Sequence, residues 1–220
     1  MESKRFTPPE QKDYEYAYKL AYQLVLDKLA GIDDIEQQCR LSGAQYQETV
    51  SKKTVIIRYL NQSYQIALPD IEISPVDSDE EVTLRDRVLI LHYFASAKGT
   101  PPANRLITFR ELPAGVVYFP TFNKRTINPL LKNFANDPRN LVETSHGLGG
   151  QITDYGDAAV TINAFSRVPV TIVLWQGDEE LAPQGNMLFD ASISDYLSTE
   201  DVTVLCEIIT WRLIRLSRET

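Results

Sequence analysis

The sequence predicts an α+β fold: a single domain over residues 1–220, in which helices flank a mostly antiparallel sheet and a long C-terminal helix is buried. Three observations carry this. Apolar residues recur at helical spacing in three long segments, 14–30, 83–97 and 199–216. The period drops to two over 55–68, on either side of a short polar turn. Further on, the run Val170-Thr171-Ile172-Val173-Leu174-Trp175 has no charged member, which suits a strand buried on both faces.

Residues 1–13 are expected to be a flexible arm. The helix over 14–30 places Ala17, Leu20, Ala21, Leu24, Val25 and Leu29 on one stripe and stops at Gly31. Tyr14, Tyr18 and Tyr22 form a second stripe, which reads either as a stack for a planar cofactor or as an aromatic core edge with wet hydroxyls. A shorter helix covers 32–41 and ends at Gly43. Val55, Ile57 and Tyr59, then Tyr64, Ile66 and Leu68, alternate with other residues around Asn61-Gln62-Ser63, which makes a β-hairpin. A short strand follows over 71–74. The acidic stretch 77–81 lacks the glycine and distal glutamate of a calcium loop and reads as a solvated loop.

In the second long helix, Thr83 and Asp86 stand in capping-box register, and Leu84, Val88, Leu91 and Ala95 form the core stripe. Two shorter helices are expected over 129–135 and 141–148, separated by Asn136-Asp137-Pro138. The glycine loop 147–156 leads into strands over 157–165 and 170–176. Ser198 and Asp201 cap the last helix, which is apolar on two sides. It is therefore either sandwiched in the core or shared with a partner subunit.

Lys and Arg total 22 against 30 Asp and Glu, a net charge of −8, so phosphate backbones are repelled, and Lys124-Arg125 alone makes no basic patch. No nucleic-acid partner is expected. Cys39 and Cys206 lack metal-ligand spacing, so they read as buried thiols, with no ligand set for an iron–sulfur cluster or structural zinc. There is no signal-peptide pattern and no apolar run of about 20 residues, so neither export nor a membrane span is expected. The simple reading is a cytoplasmic, reduced protein.

The candidate chemistry is sparse. His92 projects from the apolar face of its helix, either as a metal ligand or general base or as a core histidine hydrogen-bonded to backbone. His146 precedes Gly149 and Gly150, where backbone can approach a ligand closely. That loop matches neither the dinucleotide fingerprint nor a P-loop. Asp157 follows the loop, and Asp178, Glu179 and Glu180 follow Trp175 at a strand end, as metal or acid–base candidates or a solvated turn. Asp190 suits a helix N-cap or a partner for an arginine. Arg105, Arg110 and Arg167 sit among apolar residues and need a carboxylate from ligand or protein, with Asp178, Asp190 or Glu111 as internal choices.

Several segments together resemble a known family. They are Leu89-Ile90-Leu91-His92-Tyr93-Phe94, Ile107-Thr108-Phe109-Arg110-Glu111-Leu112, Gly149-Gly150 and Gly156-Asp157-Ala158. With them go Arg167-Val168-Pro169-Val170, Leu174-Trp175-Gln176-Gly177-Asp178, Leu188-Phe189-Asp190, Tyr196-Leu197 and Glu200-Asp201. The chain is similar to an uncharacterised domain of anaerobic bacteria and archaea, about 200 residues long, an ordinary domain size. Some members are fused to iron–sulfur modules. The resemblance implies a redox or corrinoid-related setting and an accessory role beside a redox or methyl-transfer partner; it supplies no catalytic residues.

The first functional reading is a non-catalytic binding or accessory protein. Its pocket would lie near the glycine loop and the acidic strand end, for a tetrapyrrole, a corrinoid or a partner protein. The second is a metal-assisted enzyme using His92 or His146 with Asp157, Asp178 or Asp190. The third is a structural subunit, a homo-oligomer included, whose terminal helix packs on a partner. The binding reading is favoured because no assembled nucleophile, base and orienting group can be read off the chain.

Overall fold

The computed structural model of the chain describes residues 12–50 and 52–219. The arm expected over 1–13 lies outside them, except that Lys12 and Asp13 already belong to the first helix. The α+β expectation holds. Nine strands form one sheet in the order β4-β3-β2-β7-β8-β9-β5, with β1 paired to β2 and β6 to β7 off that path. Every pairing is antiparallel.

Helix α1 (Lys12–Ala30) packs on α3 (Leu84–Ser96), and α2 (Ile35–Ser42) ends at Gly43 in the left-handed conformation. Strand β1 (Gln45–Glu48) joins the hairpin of β2 (Lys53–Tyr59) and β3 (Gln62–Leu68), which β4 (Glu72–Pro75) extends. The hairpin turns on Leu60 and Asn61, both at positive φ (46° and 66°), one residue earlier than the polar run suggested. Two successive positive-φ residues suit a turn that follows the right-handed twist of its strands.

Two elements of the middle region have no counterpart in the sequence reading: β5 (Leu106–Thr108) and α4 (Gly115–Arg125). Helix α4 carries Pro120 in its interior, and Pro removes a helical hydrogen bond. Tertiary packing compensates. Phe122 is buried and stacks on Phe109 with ring centroids 3.9 Å apart. Gly115 is needed there, because a Cβ would fall 2.1 Å from the Phe109 carbonyl oxygen.

Helices α5 (Ile127–Phe134) and α6 (Pro138–Ser145) lead through a short turn to β6 (Gln151–Ile152), then β7 (Ala158–Phe165) and β8 (Val168–Trp175). Strand β8 is covered along nearly its whole length, as its uncharged sequence requires. Strand β9 (Gln184–Asp190) pairs with β8 from Val170↔Phe189 to Trp175↔Gln184. Leu188-Phe189, one of the segments that carry the resemblance, belongs to this strand.

Helix α7 (Thr199–Glu219) settles the choice left open for its two apolar sides. Every residue from Val202 to Thr210 is buried, and α3, α4, α5 and α6 pack against the helix. Trp211 and Leu216, further along, are only partly buried. Asp86, part of the α3 cap with Thr83, also ties the layers together. Its carboxylate accepts hydrogen bonds from the Tyr59 hydroxyl of β2 (2.8 Å) and from Arg212 of α7 (3.0 Å). Cys39 and Cys206 are free, buried thiols; burial pushes Cys39 up to about 11 and Cys206 higher still. No helix among the described residues is long and apolar enough to cross a membrane.

Candidate functional site

The residues singled out in the sequence do not converge. They fall into four places set by strand register and helix packing. At one end of β7 and β8 lie Asp157, Trp175 and Asp178. Asp157 Oδ2 accepts the backbone N–H of Gln176 (2.7 Å), and Asp178 Oδ1 accepts those of Glu180 and Leu181 (both 2.8 Å). The bonds from Leu181 and Glu180 hold the Asp178 carboxyl below the ordinary aspartate range. These acids are turn-formers, as the solvated-turn reading has it. Asp178, with Glu179 and Glu180, borders a shallow cleft of about 380 Å³ between the β8–β9 turn and Ala135-Asn136. Trp175 is half-exposed beside them.

Arg167 and Asp190 lie at the opposite end of β8, about 23 Å away for seven residues of strand. Among the described residues Asp190 neither caps a helix nor pairs with an arginine, contrary to expectation. Its oxygens clasp the 103–104 loop, accepting from Ala103 N–H (2.9 Å), Asn104 N–H (2.8 Å) and the Ser192 N–H and hydroxyl (2.9 and 2.6 Å). Burial alone would raise this carboxyl; the hydrogen bonds from Ser192, Ala103 and Asn104 bring it below the ordinary range. Arg167 has its Nε buried without a hydrogen-bond partner and forms no ion pair among the described residues, so the internal pairing expected for it fails. Arg105 does pair with Glu111 (3.8 Å), whereas Arg110 lies over the Phe119 ring, 3.8 Å from its centroid.

His146, Gly149 and Gly150 form a third place. His146 is exposed at the end of α6, and its carbonyl accepts the Gly149 N–H (3.0 Å). Gly149, at φ +71°, abuts Asn61, and Gly150 abuts Ser145. Protein atoms, not space for a ligand, demand glycine there. Gln151 pairs opposite Thr161, four residues along β7 from Asp157 and hence about 13 Å from it. None of His146, Gly149 and Gly150 lines the cleft at the acidic strand end.

His92 is the fourth, and here the geometry is that of a site. Helix α3 presents Arg85, Val88, Leu89 and His92 along one face, and α7 brings Asp201 to it. His92 Nδ1 lies 2.6 Å from Asp201 Oδ1, so its partner is a carboxylate and not the backbone expected of a core histidine. The other oxygen, Oδ2, accepts the hydroxyl (2.6 Å) and N–H (3.2 Å) of Ser198 in the α7 cap. Burial would raise the Asp201 carboxyl, but the bonds from His92 and Ser198 outweigh it and hold the group below the ordinary range. An ionised carboxylate only accepts, so Nδ1 carries a proton, and whenever the ring is neutral Nε2 is the nitrogen with the lone pair.

The His92 ring borders a cleft of about 170 Å³ beneath α1. Ala17, Ala21, Val88, Leu89 and Val204 make its apolar wall; Tyr18, Arg85 and Glu200 join His92 and Asp201 in the polar part. Behind these, Arg85 and Arg125 both donate to Oε2 of Glu207, Arg125 through Nε (2.9 Å) and Nη2 (2.5 Å). Arg85 Nε is buried without a partner. Burial pushes the Tyr18 hydroxyl up against the opposing pull of Arg85 and Arg125, so it stays a donor. This is a small, mostly apolar cleft with a few convergent polar groups, the usual form of a ligand site.

Sequence reading missed Asp201, Arg85, Arg125 and Glu207 as site residues. Asp201 was visible only as a cap. The available signal was the spacing of Arg85 and His92, two helical turns apart on one face. Tyr18 belongs to the expected tyrosine stripe, and its role is at the cleft edge; the Tyr14 side chain lies outside what is described. No three His, Cys, Asp or Glu side chains among the described residues are placed to hold a metal ion.

No curated protein and no solved structure matches this chain. A family model does, over residues 34–212, from just before α2 into α7 and with His92 and Asp201 inside it. The chain belongs to the family described as a domain of unknown function, DUF3786.

Proposed function

We propose that the chain is a non-catalytic small-ligand-binding protein whose site is the cleft between α1, α3 and α7. The observation that carries this reading is the 2.6 Å contact of His92 Nδ1 with Asp201 at the border of that cleft. A carboxylate behind a histidine fixes its tautomer and orientation, which readies the outer nitrogen for a ligand. The cleft of about 170 Å³ is below the roughly 300–1,000 Å³ of sites for drug-sized ligands, so its occupant is a small molecule and not a corrinoid or tetrapyrrole ring. The anaerobic redox or corrinoid-related setting implied by the resemblance then enters through a partner protein, with this chain as a cytoplasmic accessory. A metal-assisted enzyme has less support, because His92 meets one carboxylate and His146 meets none among the described residues.

A thermal-shift screen of small metabolites, run on the wild type and on His92→Gln, tests the reading. A ligand at about 100 times its dissociation constant stabilises by about 2.7 kcal/mol, or roughly 5–10 °C at this chain length. The expected result is a shift of that order in the wild type that His92→Gln abolishes. A ligand that shifts both proteins equally contradicts it.

A further inference from the structure

Helix α4 is apolar on more than the side it buries. Phe122 stacks on Phe109 in the core, yet Val116 (67 % exposed), Val117 (77 %) and Tyr118 point outward, and Leu106 of β5 is exposed as well. A helix on the surface ordinarily turns polar residues to water, so this side lacks a partner. Its charges are not balanced either. Arg105 pairs with Glu111, and Arg125 with Glu200 and Glu207. Arg110, over the Phe119 ring, and Lys124, in the last turn of α4, form no ion pair among the described residues.

A second apolar surface carries the opposite charge. The 153–157 loop lies against the end of β8, where Asp157 N–H donates to the Leu174 carbonyl (2.9 Å) and the Asp157 carboxylate accepts Gln176 N–H (2.7 Å). Together with the β8–β9 turn this end of the sheet exposes Ile152, Tyr155, Trp175 and Leu181. Around them stand Asp154, Asp157, Asp178, Glu179 and Glu180, none in an ion pair among the described residues. Neither 151–157 nor 175–184 contains a lysine or an arginine.

The two surfaces are held apart in one chain. Leu106 pairs with Asp190 and Trp175 with Gln184, so they stand six residues apart along β9, roughly 20 Å. Between chains they match twice over, apolar side chains against apolar ones and unpaired cations against unpaired carboxylates. We propose that copies of this chain associate head to tail, the outer side of α4 in one seated on the acidic end of β8 in the next. Each surface offers roughly 450 Å² of apolar area, within the range of the largest patch on a monomer. That is below the ~800 Å² per partner of a standard stable complex, so the contact is weak and reversible. Because the two sides of the contact differ, every assembly ends in one free surface of each kind, and growth continues past two chains. At about 0.1 M salt the Debye length of about 10 Å screens the overall repulsion between chains of charge −8 and leaves charges in contact effective.

Sedimentation equilibrium of the full chain, from about 10 μM to about 1 mM, tests this. The expected weight-average mass rises with concentration and passes that of two chains at about 0.1 M salt, and it falls at about 1 M, where the Debye length is about 3 Å. Val117→Glu spoils only the α4 surface. The triple variant Glu179→Gln, Glu180→Gln and Leu181→Ser spoils only the acidic end. All four positions are exposed, so both variants keep the native Tm. Each alone stays a monomer, whereas an equal mixture pairs through its two intact surfaces and stops at two chains. A wild type that remains monomeric over this range overturns the proposal, and so does one that stops at two chains. Variants that associate as strongly as the wild type, or a mixture that stays monomeric, overturn it equally.

Discussion

Replacing Asp201 by asparagine exchanges one carboxylate oxygen for an amide nitrogen and removes a charge at the start of α7. Oδ1 receives Nδ1–H of His92 at 2.6 Å, and Oδ2 receives the Ser198 hydroxyl at 2.6 Å. The amide that replaces them can keep an acceptor on only one side. Holding its oxygen toward Ser198 preserves the helix cap and turns the amide N–H toward His92, which must then accept at Nδ1 and carry its proton on Nε2. In the neutral ring the outer nitrogen changes from acceptor to donor. Asp201 and His92 are 14 % and 28 % exposed in their side chains, so solvent screens the pair only in part. A hydrogen bond to a charged group contributes about 1.5–3 kcal/mol. At roughly 2–4 °C per kcal/mol for a chain of this length, Tm should fall by about 3–12 °C.

The pH dependence of that loss has a definite sign. Asp201 titrates below its ordinary value of 3.8 in the folded chain, so its stabilisation is fully present above that value and is lost as pH falls through the lower folded one. The Tm gap between wild type and Asp201→Asn should therefore close as the pH falls below about 3.8. Differential scanning calorimetry measures the gap, and long-range ¹H–¹⁵N spectra of the imidazole read the tautomer. An unchanged Tm together with an unchanged His92 tautomer would show that Asp201 neither stabilises nor orients the ring.

Asp190→Ala should release the 103–104 loop, costing about 2–4 kcal/mol for buried charged hydrogen bonds, with faster hydrogen exchange at Ala103, Asn104 and Ser192; slow exchange at all three would show that the clasp is unnecessary. Gly115→Ala should displace α4, since a Cβ there sits 2.1 Å from the Phe109 carbonyl oxygen; a variant with native Tm would contradict this. Native alkylation by iodoacetamide at pH 8 should be slow at Cys39, whose thiol is pushed up to about 11, and absent at fully buried Cys206 until the chain unfolds. Rapid labelling of Cys206 in the folded chain would place it elsewhere than in the core.

What could be read in the sequence was whatever local pattern decides. The β2–β3 hairpin, β7, β8, the α3 and α7 caps and the two-sided burial of α7 all follow from period, turn chemistry or uncharged runs. Helix α4 does not, because Gly115 and Pro120 oppose a helix and only the Phe109–Phe122 stack and neighbouring packing hold it. Strand β9 opens with Gln184-Gly185-Asn186, a poor strand former that pairing with β8 overrides. The site was hidden for a related reason. His92 and Asp201 stand 109 residues apart, and no local spacing reports a contact of that range. The glycine loop beside His146 suggests ligand approach, yet its glycines make room for Asn61 and Ser145.

With two histidines in the chain, one spectrum separates the rival sites. Long-range ¹H–¹⁵N correlation of both imidazoles is recorded while a mixture of small carboxylates, alcohols and amines is titrated in. If the cleft under α1 is the ligand site, the His92 ring nitrogens shift with saturation, those of His146 stay in place, and Asp201→Asn removes the response. A saturable shift at His146 with His92 unmoved would rule that cleft out and return the search to the glycine loop.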